Sequence, residues 1–380
     1  MATLAGPPRV VHVLEALETG CARHVVDLVA HVPGVEHHVV VPRARVGGVT
    51  DTAAVGRIEA ARGHVHVVEM RRSPVDRRNG AALFALRRLL AEVMPGVIHG
   101  HSSIGGALAR TAAVGRPLAC VYTPNGLAAG RWPSAVERVL GRRTDRLVAV
   151  SPSERDEVLR RRLVPADRVV VIPNGIDVDP PPPADLRALA DIPDDGPLVA
   201  TMGRLARQKA PEVFVAACAA VAAARPDARF VHIGDGPLAD EVAAAVAAAG
   251  IGARYHRLPV VPDAARYLPT LAAFVLTSRF EGGPYAPLEA MRAGVPVVVT
   301  DVVGARDCVD DGRTGLVVAP DDPAATAAAV LRVLDDAGLA ARLATAAGDA
   351  LRARFDVVTM GGAHAELYHR LAAERPVAPG

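Results

Sequence analysis

Residues Ser278–Asp301 read SRFEGGPYAPLEAMRAGVPVVVTD. The run AAFVLTS (272–278) leads into this stretch and VPVVVTD (295–301) closes it, two short apolar segments of the kind that fill buried parallel strands. Between them Gly282 and Gly283 form a loop, Pro287 suits the first turn of a helix that continues LEAMRAG, and Gly294 ends it. Strand, glycine loop, helix, strand is a βαβ unit, which needs no carboxylate for its construction. Yet Glu281 stands in the loop at the carboxyl end of the first strand, and Glu289 is expected in the helix's first turn. Complementing the helix dipole would account for about 0.3–1 kcal/mol at Glu289 and leave Glu281 unexplained. Two carboxylates flanking a glycine-rich helix start can accept hydrogen bonds from several hydroxyls while backbone amides face a phosphate. That combination suits a sugar nucleotide.

The same alternation extends in both directions. In the first half, RVVHVLEAL, HHVVVP, VHVVEM, VIHGHS, LACVYTP, RLVAVS and VVVIPNG alternate with helix-like segments at 23–32, 80–93 and 153–162. Four consecutive prolines, Pro180 to Pro183, interrupt regular structure, and the pattern resumes with LVATMGR, RFVHIGDG, ARYHRLP and AAFVLTS. The reading is α/β, with two doubly wound parallel-sheet domains, 1–180 and 181–355, joined near 174–197, and a last helix over about 356–374. Ligands of such sheets bind beyond the carboxyl ends of the strands, so two facing sheets are expected to place a site in a cleft between them.

Among 380 residues, 51% are apolar, enough for sizeable cores, and no uninterrupted apolar run approaches a membrane span. The N-terminus lacks the basic and apolar regions of a signal peptide. Cys21, Cys120, Cys218 and Cys308 are scattered without zinc spacing and read as small core residues of a cytoplasmic protein. The formal net charge of +2 is uneven: residues 1–180 hold 24 Arg against 17 acids (+7), and the remainder 18 Arg and one Lys against 24 acids (−5). The basic half reads either as a solvated arginine face or as a surface for an anionic acceptor or membrane. The lone lysine, Lys209, lies in LVATMGRLARQKAPEVF, where a strand runs into Gly203, Arg204, Lys209 and a helix starting near Pro211. Turn, helix N-terminus, guanidinium and ammonium together fit a diphosphate. HIGDGPLADEV, with Gly234 and Gly236, is a weaker turn of the same kind.

In order along the chain, ETGCARHVVDL, HGHSSIGGALAR, VYTPNG, VAVSPSERDEV, VIPNGID, GRLARQKAP, HIGDGPL and RFEGGPYAPLEAMRAGVPVV resemble the retaining GT-B glycosyltransferases of family four, the glycogen-synthase-like and phosphatidylinositol-mannosyltransferase-like group. The resemblance covers essentially the whole chain, its Glu-x7-Glu motif being Glu281 and Glu289. It implies two Rossmann-like domains, with the last helix crossing back onto the first. It also implies that Glu281 holds the donor sugar, Glu289 the ribose hydroxyls, and Arg204 and Lys209 the diphosphate. Backbone around Gly282, Gly283 and Tyr285 would face the sugar, the stretch around Leu258 would line the base, and Gly20 would sit in an N-terminal loop facing the diphosphate beside Gly203. Asn125 stands where many relatives have histidine; it can hydrogen-bond a hydroxyl but carries no proton. Gly283 replaces a bulky apolar residue, making a roomier sugar pocket. His24 and His101 are candidate acceptor contacts, with a structural role the alternative.

The expected reaction moves a hexose or N-acetylhexosamine from a nucleotide-diphosphate donor, a UDP-sugar, to a hydroxyl acceptor with retention. The donor is a co-substrate, and no cofactor or metal is expected, because the Asp-Asp pairs at 194–195, 310–311, 321–322 and 335–336 read as turns and caps. The acceptor is a small natural product or a glycan or lipid intermediate, with peripheral contact at the inner membrane surface conceivable for the basic half and no nucleic acid involved. The rivals are a UDP-sugar 2-epimerase, which shares the architecture, and a non-catalytic sugar-nucleotide scaffold.

Overall fold

A computed structural model describes residues 6–375 except 18, 44–51, 72, 74–75, 128–130 and 194–195. The chain forms two compact units, Met1–Gly175 with Val357–Gly380, and Ile176–Asp356.

In the first unit the strands are β1 (Arg9–Val13), β2 (Glu36–Val41), β3 (His64–Val67), β4 (Val97–His101), β5 (Ala119–Thr123), β6 (Arg146–Ala149) and β7 (Val169–Val171). They form one parallel sheet in the order β3-β2-β1-β4-β5-β6-β7. Strand order therefore reverses between β1 and β4. The helix Val357–Glu374 belongs to this unit: Met360, Tyr368 and Leu371 bury against Val10, Val97 and Val121. Its backbone lies so close to the helix Thr19–His31 that a Cβ on Gly361 would stand 2.1 Å from the carbonyl oxygen of His31.

The second unit has β8 (Leu198–Met202), β9 (Arg229–Ile233), β10 (Tyr255–Leu258), β11 (Ala273–Leu276), β12 (Val297–Thr300) and β13 (Leu316–Val318). The parallel order is β10-β9-β8-β11-β12-β13, with the reversal between β8 and β11. Alternation along β12 sends Val297 and Val299 into one core with Leu288 and Phe274, and Val298 into the other with Phe214 and Val330. Both faces are covered, which is why these strands are apolar throughout. The proline-rich stretch read as a joint is a wall of this unit: Ile176 bridges to Asp356 and Leu186 is fully buried in its core. Asp322 and Asp336 cap the helices Pro323–Asp335 and Ala337–Arg354, while the pair at 194–195 lies outside the described residues. Three cysteines are buried, but Cys21 is only half-buried on the first helix. No helix among the described residues is long and apolar enough to cross a membrane.

One face of the first sheet carries an unexpected polar core. Register places His12 beside His99, with His37 and His101 on the same face, and the covering helices contribute His24, His364 and Tyr368. All are buried. His12 bonds His37 (Nε2 to Nδ1, 2.9 Å) and His101 (Nδ1 to Nε2, 3.1 Å), while His99 bonds the Tyr368 hydroxyl at 2.7 Å and Thr123 Oγ1 at 2.8 Å. Burial pushes His24 down to about 3 and His37 and His364 to about 4, and it holds His12, His99 and His101 well below the ordinary value. These imidazoles are neutral in the folded chain.

The sign of the linkage follows. A histidine whose folded pKa is depressed takes up its proton in the unfolded chain first, so its stabilising effect is present above about 6.5 and lost as pH falls below. Each such group steepens the loss by about 1.4 kcal/mol per pH unit, and six acting together approach the roughly 5–15 kcal/mol that holds a domain folded. In the second unit burial lowers two histidines, the buried His232 to about 4 and the half-buried His256. Hydrogen exchange resolved by peptide is therefore expected to show the first unit losing protection between pH 7 and pH 5 while the second keeps it. Equal loss in both units would contradict the role given to the histidines.

Candidate functional site

In the second unit the chemistry gathers where the strand order reverses. Two loops leave the carboxyl ends of β8 and β11 there and are stitched together. The Arg279 N–H donates to the Gln208 carbonyl (2.8 Å), the Gln208 amide to the Phe280 carbonyl (3.0 Å), and the Thr277 hydroxyl to the Lys209 carbonyl (3.0 Å). Within this clasp the Lys209 ammonium donates to Glu281 Oε1 at 2.5 Å. The Ser278 hydroxyl donates to the same oxygen at 2.5 Å, and the Gln208 amide reaches the other at 3.4 Å. The Glu281 side chain is 7% exposed and that of Lys209 23%, so the pair is largely withdrawn from water. A buried carboxylate requires this density of donors. The Lys209 stem runs along Gly203, its Cδ and Cε 3.5 Å from where a Cβ would stand.

Neighbouring turns support the clasp from beneath. The Glu281 N–H donates to the Val303 carbonyl at 3.2 Å. Gly304 has φ +79°, and a Cβ there would lie 2.2 Å from the Gly282 carbonyl oxygen, so this crossing of two loops requires glycine. Gly282 is buried and Gly283 half-buried. The N–H of Gly234 donates to the carbonyl of Leu258, whose side chain packs half-buried at the edge of the core. Arg204 is exposed.

Two expected positions shift. The helix after the glycines runs Tyr285–Arg292, so Tyr285 is its first residue and Glu289 sits in the second turn, half-buried. The dipole effect fades beyond the first turn, which leaves helix stabilisation a poor account of Glu289. Gly20 is not in a loop: it is the second residue of the helix Thr19–His31 and is exposed.

The first unit has a matching device at its own reversal. Glu15, just past β1, accepts from the Ser102 hydroxyl (2.9 Å) and the Gly105 N–H (2.9 Å) at the end of β4, and Ser102 is held at φ +58°. Past β5, Asn125 adopts φ +54°, and its side-chain nitrogen is buried without a hydrogen-bond partner among the described residues. The turn is fixed by Glu154, fully buried, which accepts from the N–H groups of Gly126 (2.8 Å) and Val150 (2.9 Å). His24 and His101, expected as acceptor contacts, are fully buried in the histidine core and present no side-chain surface to a ligand. Glu15, Glu154, Gln208 and Ser278 were not marked by the sequence reading. Only Glu154 had a local signal, the capping spacing Ser151-x-x-Glu154, in which Ser151 Oγ accepts from the Glu154 N–H at 3.1 Å.

Two parallel doubly wound sheets, each with polar loops converging at its strand reversal, define the GT-B class of fold. The family model described as Glycosyltransferase Family 4 matches residues 19–180, and that described as Glycosyl transferases group 1 matches residues 196–336. The chain is 32% identical over 305 residues to a glycogen synthase of Mycobacterium tuberculosis, covering 74% of this chain and 70% of that one. It is 31% identical over 245 residues to a D-inositol 3-phosphate glycosyltransferase of Streptomyces avermitilis, covering 58% of this chain but only 52% of that relative's length. Among solved structures, Anabaena HepE in complex with UDP and glucose superposes with a TM-score of 0.83 at 19% identity, over 96% of this chain and 100% of that one. The chain belongs to the family 4 glycosyltransferases.

Removing one partner of the Lys209–Glu281 pair strands a buried charge. Lys209→Ala is expected to destabilise the second unit by about 3 kcal/mol, the low end for buried pairs because the ammonium keeps some exposure. Replacing both, as Lys209→Met with Glu281→Gln, should recover most of that loss. Chemical denaturation of the intact chain measures both, and a full-sized loss in the double variant would show that the ion pair is not what holds the two loops.

Proposed function

We propose that the chain transfers a hexose or N-acetylhexosamine from a nucleotide-diphosphate donor, a UDP-sugar, to a hydroxyl group, with retention at the anomeric carbon. The observation that carries this reading is the Lys209–Glu281 pair at the reversal between β8 and β11, with Glu289 one helical turn further along the same βα unit. An ammonium has three N–H donors, of which Glu281 takes one, so Lys209 can meet a diphosphate oxygen while remaining anchored. Family membership supports the transfer chemistry, and the D-inositol 3-phosphate glycosyltransferase and glycogen synthase relatives are precedents for sugar transfer to an inositol phosphate and to glycogen. The complex of HepE with UDP and glucose supports a uridine donor by likeness of fold.

In this reading the Glu281 carboxylate, its orientation fixed by Ser278 and Gln208, holds hydroxyls of the donor sugar. Glu289 binds the two ribose hydroxyls. As the glycosidic bond to the diphosphate breaks, negative charge grows on the leaving oxygen, and Lys209 and Arg204 stabilise it. The acceptor hydroxyl approaches from the side the diphosphate leaves and passes its proton to that oxygen, which gives retention without a protein nucleophile. These steps use side chains of the protein alone. In the first unit the unpartnered Asn125 amide is the group offered to a sugar or acceptor hydroxyl, and the +7 charge of residues 1–180 favours an anionic acceptor such as a phosphorylated polyol or an anionic lipid surface.

Variants separate the roles. Glu289→Ala is expected to weaken nucleoside diphosphate binding at least about tenfold through the lost charge-assisted hydrogen bonds. Glu281→Gln should leave that affinity within about threefold and reduce turnover about a hundredfold. Calorimetry with UDP and product analysis by mass spectrometry decide it. Parallel loss of binding and turnover in both variants would overturn the assignments. Conversion of the donor to an isomeric sugar without acceptor would make the chain an epimerase, and tight binding with no turnover would make it a scaffold.

A further inference from the structure

The edge of the first sheet away from the strand reversal carries a second constellation of chemistry-bearing side chains. Strand alternation puts Glu36 and His38 of β2 on one face, and His64 and His66 of the edge strand β3 on that same face, with His38 directly opposite His64. The rings of His38 and His64 stack with centroids 4.8 Å apart, and those of His38 and His66 with centroids 5.2 Å apart. His38 Nε2 lies 2.9 Å from Glu36 Oε1, and its Nδ1 lies 3.0 Å from His66 Nε2. One ligand atom each from Glu36, His38 and His64 falls within 4.8 Å of the others. Three rings and a carboxylate at a sheet edge contribute nothing to a hydrophobic core, and they stand apart from the loops that carry Glu15, Ser102 and Asn125.

We propose that Glu36, His38 and His64 form a binding site for a divalent transition-metal ion of the zinc, cobalt or nickel kind, with His66 orienting His38. Imidazole and carboxylate together select these ions over magnesium or calcium, which take oxygen ligands. Bonds of about 2.0–2.1 Å place tetrahedral ligands roughly 3.4 Å apart, so the three atoms need only contract by small side-chain rotations. His64 is exposed and Glu36 half-exposed, which gives an ion access from solvent. The His66 contact to the far nitrogen of His38 is the outer-shell bond that fixes a liganding ring. Arg9, 3.3 Å from Glu36 Oε2, is the one adverse charge in contact with the carboxylate among the described residues, and its guanidinium is also tied to the Val93 carbonyl. The alternative cluster, His12, His99 and His101, is closed: all three are fully buried, and both nitrogens of His12 and of His99 are already engaged.

Cobalt titration of the intact chain, followed by visible ligand-field absorption and then zinc displacement, tests the site. The parent is expected to bind one Co²⁺ that Zn²⁺ displaces and excess Mg²⁺ does not. His64→Ala, at an exposed position, and Glu36→Gln should each weaken binding about tenfold or more, with circular dichroism unchanged. Lys209→Ala should bind cobalt as the parent does, which keeps this outcome separate from that of the donor site. Absence of saturable binding in the parent would overturn the proposal. So would unchanged affinity in both variants, which would move the ion to the buried histidines.

Discussion

A parallel sheet whose strand order reverses leaves two adjacent strand ends whose loops diverge, and the crevice between them must be closed by something. In the second unit it is closed by an ion pair. Lys209 from the loop after β8 and Glu281 from the loop after β11 meet at 2.5 Å, flanked by the backbone clasp between the same two loops. A carboxylate this buried tolerates few substitutes for its donors, so Ser278, Gln208 and the backbone clasp follow from it. The same pair fixes an ammonium beside a glycine strand exit, where a phosphate can approach backbone closely. Structural closure and the proposed ligand chemistry thus fall on one feature.

The first unit solves the same problem with a different bond. Glu15 spans its reversal by accepting from the Ser102 hydroxyl and the Gly105 amide. Glu154 holds the amides of Gly126 and Val150, so both carboxylates brace turns.

Architecture was readable because most strands are short apolar runs rich in valine, and glycine or proline marks many of the breaks between elements. Lys209 was readable from composition, as the one lysine among 42 arginines. Other features depend on tertiary contact. Gln208 and Ser278 are ordinary loop residues until Glu281 folds between them. The histidine core exists only through the register that aligns His12 with His99, which places side chains from β1, β2 and β4 together across long sequence separations. For that reason His24 and His101, candidate acceptor contacts with a structural role as the alternative, are interior groups. The shift of Glu289 to the second turn has a local cause, since the helix begins at Tyr285, directly after Pro284, two residues ahead of Pro287. Gly20 sits at a first-turn position where the helix needs no hydrogen bond from its N–H, so glycine there breaks nothing. The division between the units at Gly175 and Ile176 falls within the expected joint, and the prolines that follow forbid regular structure but do not forbid packing.

The central claim is that Lys209 and Glu281 act on the donor as one unit. Its most direct test is a double-mutant cycle on binding, with calorimetry of the parent, Lys209→Met, Glu281→Gln and the double variant against the nucleotide sugar the chain takes up in a donor screen. Coupling of at least about 1 kcal/mol between the two positions is expected, within the range for residues in direct contact. Additive effects on donor affinity would contradict it, and would leave the pair as a brace for two loops with no part in holding the ligand.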